Sequence, residues 1–283
     1  MVLMIIALLV LLGLCFGSFT NAFVWRIHEQ EAEQGKKRPN KQRLADLSIS
    51  KGRSMCPHCG HELGALDLVP VLSWLSLGGK CRYCRTPISW QYPVVELATT
   101  LLFVISWLGW PYAVQGLQIA AFGVWLVVLI GLMALTVYDF RWMLLPNRIV
   151  FPLYGVAGVF ALINIIGAAR PLHALLMTIL AVALGGGVFY VLFQVSDGTW
   201  IGGGDVKLGW LLGLVVGRPP LSFLFIFAAA LLGTIASVPL IVKEGIRPKR
   251  VIPFGPFLIA GAIISLLYGQ SILDWYQHFF VVS

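Results

Sequence analysis

The sequence predicts an all-α polytopic membrane protein of about eight transmembrane helices, with one small hydrophilic segment between the first and second of them. Three observations carry this. Of the 283 residues, 59% are hydrophobic and only 11% are charged. A soluble domain carries roughly 25% charged residues. The mean hydropathy is +0.88, and the apolar residues gather in runs, most of them near the roughly 20 residues that a bilayer core requires.

The runs lie near 2–24, 94–112, 115–137, 149–167, 172–194, 206–217, 221–242 and 252–270. The sixth is short, and its ends are the least defined. The first is expected to persist as a helix, because no Lys or Arg precedes it as in a signal peptide. Cys15 in LLGLC has the setting of a lipoprotein cleavage box, but Leu14 is bulky where a small residue is wanted. Cys15 therefore reads as an ordinary helix residue. Three regions follow: a first helix over 1–25, a hydrophilic segment over 26–93, and a membrane bundle over 94–283. The glycines of ALGGGV (183–188) fall inside the fifth run and suit close helix packing.

Charge sets the orientation. Eleven Lys and Arg lie in 26–93, and seven more lie in the loops 139–148, 195–207 and 243–250. Under eight spans all eighteen fall on one side, and only Arg170 and Arg218 fall on the other. Basic loops stay cytoplasmic. The hydrophilic segment is therefore expected in the cytoplasm, with both termini outward. The net charge of +8 is mostly this topological signal and calls for no nucleic-acid partner.

The hydrophilic segment divides in two. Residues 26–54 are polar and read as a short helix and loop. Residues 55–93 hold Cys56-x2-Cys59 and Cys81-x2-Cys84, separated by 21 residues. Two CxxC turns can aim four thiolates at one tetrahedral zinc. Pro57 and Gly60 suit the first turn, and Lys80, Arg82 and Arg85 offset thiolate charge. Two disulfides or four free thiols are the alternative, disfavoured on a reducing side. His58 and His61 lie close by, but four thiols suffice. All four positions are then filled, so the metal is structural, a staple for a segment too small to fold on its own apolar core.

Three carboxylates fall at or inside apolar runs: Glu96, Asp139 and Asp205. An ionisable group there is a functional candidate. Asp139 ends the third run and Asp205 opens the sixth, which runs the opposite way. The two should share one depth near the cytoplasmic face. Packed together they could share one proton, so that the ionised acid activates a water and the neutral one protonates the carbonyl oxygen or leaving amine. Gly202, Gly203 and Gly204 would present backbone to an extended peptide, with no side chain intruding. The plainer reading makes Asp205 a helix cap and pairs Asp139 with Arg141. On that view Glu96 merely snorkels or pairs with a base. A helix N-terminus makes Asp205 the better candidate for the ionised acid.

In order along the chain come GSFTN (17–21), CPHCG (56–60), LDLVPVLSWL (66–75), GGKCRYCRTPIS (78–89), YPVVE (92–96), YDFRWMLLPN (138–147), GGGDVKLG (202–209) and IPFGPFLIAG (252–261). Together they resemble the type IV prepilin peptidases, membrane aspartyl proteases of the bacterial inner membrane. The resemblance implies a bifunctional enzyme. It cleaves the basic leader of prepilins or pseudopilins of type IV pilus or type II secretion systems, on the cytoplasmic side. It then N-methylates the new terminal residue, usually phenylalanine, with S-adenosylmethionine. The catalytic aspartates fall on Asp139 and Asp205, and the zinc tetrad on Cys56, Cys59, Cys81 and Cys84. Many members have Asp where this chain has Asn147, so its local polar network can differ. The tetrad is present here and favours retained methylation.

No soluble dinucleotide-type glycine motif marks a site for the methyl donor. Trp74, Trp90 and Tyr92 could stack on it, although interfacial aromatics are the plainer reading. Glu96 could deprotonate the acceptor amine. Glu29, Glu31 and Glu33 form the one acidic cluster of the hydrophilic segment and could receive a basic leader. Two other classes stay open on the residues alone. One is an ion- or proton-coupled transporter with a zinc-ribbon regulatory segment. The other is a membrane-anchored zinc-ribbon interaction module.

Overall fold

Each apolar run becomes a helix because a backbone in hydrocarbon must satisfy its polar groups within its own segment. The computed structural model describes residues 2–49, 52–244 and 252–280, without the side chains of 240, 241, 243, 244 and 280. Of the basic residues that set the expected orientation, Lys51, Arg247, Lys249 and Arg250 lie outside the described residues, as does the side chain of Lys243. The chain divides into two units, Met1–Leu108 and Gly109–Ser283.

In the first unit, α1 (Val2–Gln34) continues past its apolar run through RIHEQEAEQ. Glu, Gln and Ala are good helix formers, so the helix need not stop where the apolar run does. It packs on α4 (Gln91–Leu108) at very short range. A Cβ on Gly17 would lie 2.6 Å from the Glu96 Cα, and one on Gly13 would lie 2.5 Å from the Thr100 Cα. Buried Asn21 is satisfied across this contact. Its amide donates to the Tyr92 carbonyl at 3.2 Å, and its oxygen accepts from Gln91 at 3.2 Å. The GSFTN stretch is thus the surface on which α4 seats.

Between α1 and α4 the chain forms α2 (Lys41–Asp46), a 3-10 turn over Ala65–Leu68, and α3 (Leu72–Ser76). Asn40 caps α2 by accepting from the Gln42 and Arg43 N–H groups. Arg26, buried on α1, donates to the carbonyls of Ser48 at 2.7 Å and Gly52 at 3.0 Å, which ties the linker back to the helix. Asp67 accepts from Arg82 at 2.7 Å, Tyr83 at 3.2 Å and the Gly64 N–H at 3.2 Å. It joins the 3-10 turn to the second CxxC turn.

The second unit holds α5 (Leu117–Trp142), α6 (Asn147–Ile166), α7 (Pro171–Val195), α8 (Gly203–Val216), α9 (Pro219–Glu244) and α10 (Gly255–Phe280). Seven helices, α1, α4, α5, α6, α7, α9 and α10, are long and apolar enough to cross a membrane. The chain is a multi-pass membrane protein. The sixth expected span is α8, which has 14 residues. At 1.5 Å per residue that is about 21 Å, short of a bilayer core of about 30 Å. Its Leu208, Leu211 and Leu212 are fully buried within the unit.

Glycines seat α8 against α7. A Cβ on Gly209 would lie 2.6 Å from the Gly185 carbonyl oxygen, and one on Gly213 would lie 2.7 Å from the Ala181 carbonyl oxygen. This small-xxx-small contact is the role expected of the ALGGGV glycines, two of which, Gly185 and Gly186, are buried.

Two expected outcomes follow. Gly213→Ala forces α7 and α8 apart and should cost about 1–3 kcal/mol, the usual range for overpacking. A lowered thermal midpoint in detergent would register it, and an unchanged midpoint would contradict the seam. The second concerns Asp67. Burial alone would raise its pKa, but Arg82, the Gly64 N–H and Tyr83 outweigh burial and hold it below the usual carboxylate value. A depressed carboxylate stabilises the fold above its unfolded pKa of about 3.9, and the contribution is lost as pH falls through the lower folded value. Asp67→Asn should therefore loosen residues 52–90 to protease at pH 7. The difference from the unsubstituted protein should close as pH falls below about 4.

Candidate functional site

The carboxylates of Asp139 and Asp205 come together at one end of the second unit. Asp139 lies in the last turn of α5, which closes on Met143 in the left-handed conformation with its N–H on the Asp139 carbonyl at 2.8 Å. The Asp139 side chain is 7% exposed. Asp205 is the third residue of α8, behind the cap Gly202. The two carboxylates lie near enough to feel each other's charge.

A third element, which the sequence reading did not assign, completes the pair. The N-terminus of α10 abuts Asp139, and the Gly255 N–H donates to its carboxylate. A Cβ on Gly255 would stand 2.5 Å from Asp139 Oδ2, so glycine is the residue that lets the helix end come this close. Asp205 accepts from the Gly202 N–H in the same manner. Each acid thus faces the positive end of a helix. The asymmetry expected from sequence, with Asp205 alone so placed, is absent. Of the plainer alternative, the cap at Asp205 is present. Among the described residues Asp139 has no ion pair with Arg141, whose guanidinium stacks over Trp142 at 4.8 Å.

The glycine edge is open on one side. Gly202 and Gly203 are exposed, and a Cβ on either would meet nothing closer than 3.7 Å. Gly204 is half-buried against Leu145, from the loop that follows Asp139. Two residues past Asp205, Lys207 donates to the Asn147 side-chain oxygen at 2.8 Å, and its carbonyl accepts from Tyr154 at 2.6 Å. Asn147 therefore accepts a charge-assisted hydrogen bond from a lysine, outside the carboxylate pair. Tyr154 was missed by the sequence reading, since a lone tyrosine in an apolar run carries no signal.

In the first unit the ligand sulfurs of Cys56, Cys59, Cys81 and Cys84 all lie within 4.8 Å of one another. A zinc tetrahedron with bonds of about 2.3 Å has sulfur–sulfur edges of about 3.8 Å. The Cys56 and Cys84 sulfurs stand 3.9 Å apart. The two turns repeat each other. The Cys56 N–H donates to the His61 carbonyl and the Cys81 N–H to the Thr86 carbonyl, both at 2.9 Å. The residue after each pair takes positive φ, Gly60 at 71° and Arg85 at 58°. Glycine adopts that conformation freely, and arginine does so at a cost of order 1 kcal/mol. Hydrogen bonding with the Thr86 side chain at 3.3 Å, then with its backbone, holds the Cys84 thiol down to about 6, which favours the thiolate that a metal needs. His61 packs on Tyr83, with ring centroids 3.7 Å apart.

Beside the tetrad lies a cavity of about 570 Å³. Trp74, Tyr92 and Glu96 line it, while Trp90 stays outside and packs on Trp74. Glu96 is 5% exposed. The acidic cluster on α1 is partly spent. Glu29 pairs with Arg43 at 2.8 Å, and Glu33 with Lys36 at 2.6 Å and Arg43 at 3.6 Å.

Residues 11–110 match the family described as the bacterial peptidase A24 N-terminal domain, and residues 126–238 match the type IV leader peptidase family. Curated relatives carry the name prepilin leader peptidase/N-methyltransferase. One from Aeromonas salmonicida (strain A449) is 34% identical over 284 residues, covering 95% of this chain and 93% of its own. One from Bacillus subtilis (strain 168) is 33% identical, covering 81% of this chain and 87% of its own. One from Pseudomonas aeruginosa PAO1 is 33% identical, covering 95% and 92%. No solved structure matches the chain. With the paired carboxylates in one unit and the cysteine tetrad in the other, the chain belongs to the type IV leader peptidase family.

Proposed function

We propose that the protein cleaves the leader peptide of prepilins or pseudopilins and then N-methylates the new terminus. The observation that carries this is the convergence of Asp139 and Asp205 under the N-terminus of α10. Two carboxylates near enough to feel each other's charge can hold one proton between them. The ionised acid takes a proton from a water as that water attacks the scissile carbonyl. The neutral acid gives its proton to the carbonyl oxygen; the other acid then passes the proton it took from water to the leaving amine, while the diol hydroxyl returns a proton to the first acid as the carbon–nitrogen bond breaks. The helix ends at Gly202 and Gly255 offset the remaining negative charge. The exposed backbone of Gly202 and Gly203 is the edge along which an extended peptide lies. With the basic segment 26–93 and the loop 139–148 in the cytoplasm, the site belongs to the cytoplasmic face of the bacterial inner membrane; two outward termini would need α8 to cross as an eighth span, and at 14 residues it is too short.

Methyl transfer is placed in the first unit. Its cavity lies within the 300–1,000 Å³ usual for small-molecule sites. Trp74 and Tyr92 offer aromatic faces to S-adenosylmethionine, which supplies an electrophilic methyl group when bound. The tetrad holds zinc, and because Cys56 and Cys81 also line the cavity, the metal braces its wall.

A synthetic prepilin incubated with purified protein and S-adenosylmethionine, read by mass spectrometry, tests the whole. Asp139→Asn and Asp205→Asn keep the hydrogen bonds to Gly255 and Gly202. Each should lower cleavage by roughly three orders of magnitude or more while the protein stays folded, and the double variant should be little worse. Methylation of a pre-cleaved pilin should survive both. Substantial cleavage by either variant would leave Asp205 a helix cap and nothing more.

Metal analysis should give one zinc per chain. Cys59→Ser or Cys81→Ser should lose it, loosen residues 52–90 to protease, and lower methylation about tenfold or more, well beyond any fall in cleavage. A zinc-free protein with an ordered segment would refute the structural metal.

A further inference from the structure

Glu96 presents a physical problem that the helix packing does not solve. Its carboxylate is buried and lines the cavity of the first unit, yet among the described residues no cation pairs with it. It accepts from the Val71 N–H at 2.7 Å and from Ser18. A carboxylate offers about four acceptor directions, so about two remain. A buried charge without a counter-charge is costly, and a native site keeps one only where something compensates it.

The surroundings are organised around this group. Val71 holds its N–H on Glu96 from φ 60° and ψ −50°, a conformation that is an outlier for a β-branched residue. Such strain costs of order 1–3 kcal/mol and gathers at functional sites. On the other side, Gly17 lets α1 approach the Glu96 backbone, which brings neighbouring Ser18 to the carboxylate. The remaining charged and titratable groups on the cavity wall include Arg26, Asp67, Arg82, His58, Tyr92 and Cys15. Arg26 is bound to the Ser48 and Gly52 carbonyls, and Asp67 and Arg82 hold each other. The rest of the wall is largely apolar, with Phe19, Phe23, Trp25, Leu77 and Ile88 among its residues.

We propose that Glu96 binds and deprotonates the α-ammonium group of a peptide beginning with phenylalanine, so that this cavity is the methyl-acceptor site. The proposal rests on the methyltransferase reading above. An ammonium carries both the missing charge and the N–H donors that the free acceptor directions require. The sulfonium of S-adenosylmethionine carries charge without donors, and its methionine ammonium already has a carboxylate on the same carbon, whereas a peptide's terminal ammonium has none, so the Glu96 carboxylate suits the acceptor. The apolar wall suits an aromatic side chain.

The step balances. Glu96 takes one proton from R–NH3+, which leaves a lone pair on nitrogen. That nitrogen forms a bond to the sulfonium-bound methyl carbon of S-adenosylmethionine. The carbon–sulfur bond breaks with its electron pair on sulfur, giving a neutral thioether and R–NH2+–CH3. The proton on Glu96 then passes to water.

The experiment uses the full chain in detergent. Calorimetry without methyl donor at pH 7 compares a phenylalanine-initial peptide with its N-acetylated counterpart. The unsubstituted protein should prefer the free amine by about tenfold or more, a difference of about 1.4 kcal/mol. Glu96→Gln, which can still accept from Val71, should lose the preference. Its methylation at pH 7 should fall about 100-fold. It should recover in part above pH of about 8, where an α-amine is deprotonated without help. Leader cleavage by the same preparation should stay unchanged. Equal affinity of the unsubstituted protein for both peptides, or unchanged methylation by Glu96→Gln at pH 7, would overturn the proposal. Selective binding of the free amine without any methyl transfer would uphold the ammonium site and remove the methyltransferase reading instead.

Discussion

The backbone contact between α7 and α8 is the constraint on which the second unit depends. Gly209 and Gly213 on α8 meet the carbonyls of Gly185 and Ala181 on α7 at distances that admit no side chain. In hydrocarbon, helices gain little from apolar burial against one another, so close van der Waals contact carries more of the association. That contact lets a 14-residue helix, too short to cross a bilayer, sit among longer neighbours. Asp205 stands in its first turn.

The same solution recurs at each acid buried in an apolar helix. Asp139 accepts from the Gly255 N–H, Asp205 from the Gly202 N–H and Glu96 from the Val71 N–H. Backbone amides supply partial positive charge without bringing a titratable cation. The carboxylates therefore remain available for proton chemistry, where a lysine or arginine partner would lock them as anions. Asp67 shows the contrast. It is held by Arg82, and the result is a structural tie.

The hydrophilic segment of the first unit builds its order from local turns in place of an apolar core. Two CxxC turns with matching hydrogen bonds bring four sulfurs together, and the Asp67–Arg82 pair fastens the second turn to the 3-10 turn. The cavity lies between this segment and α1, so the order of the segment determines whether the Glu96 pocket keeps its wall.

The helical membrane class, the hydrophilic segment and the two CxxC turns were legible because each is written in local pattern. Apolar runs, charge bias and ligand spacing need no knowledge of distant residues. The two aspartates were legible as an expensive residue type at the end of an apolar run, and their shared depth followed from counting spans. The sequence showed that the sixth run is short but not where α8 begins and ends, since glycine leaves both ends open. Nor could it assign Gly255, Tyr154 or the strained Val71, because a backbone N–H is present at almost every residue and only packing aims one. What the sequence determined alone is the helical membrane class, the four-cysteine spacing and which acids fall at or inside apolar runs. The tertiary structure decided which carboxylates lie near each other and which backbone N–H groups face them. Those contacts join residues tens of positions apart, and helix packing alone sets that proximity.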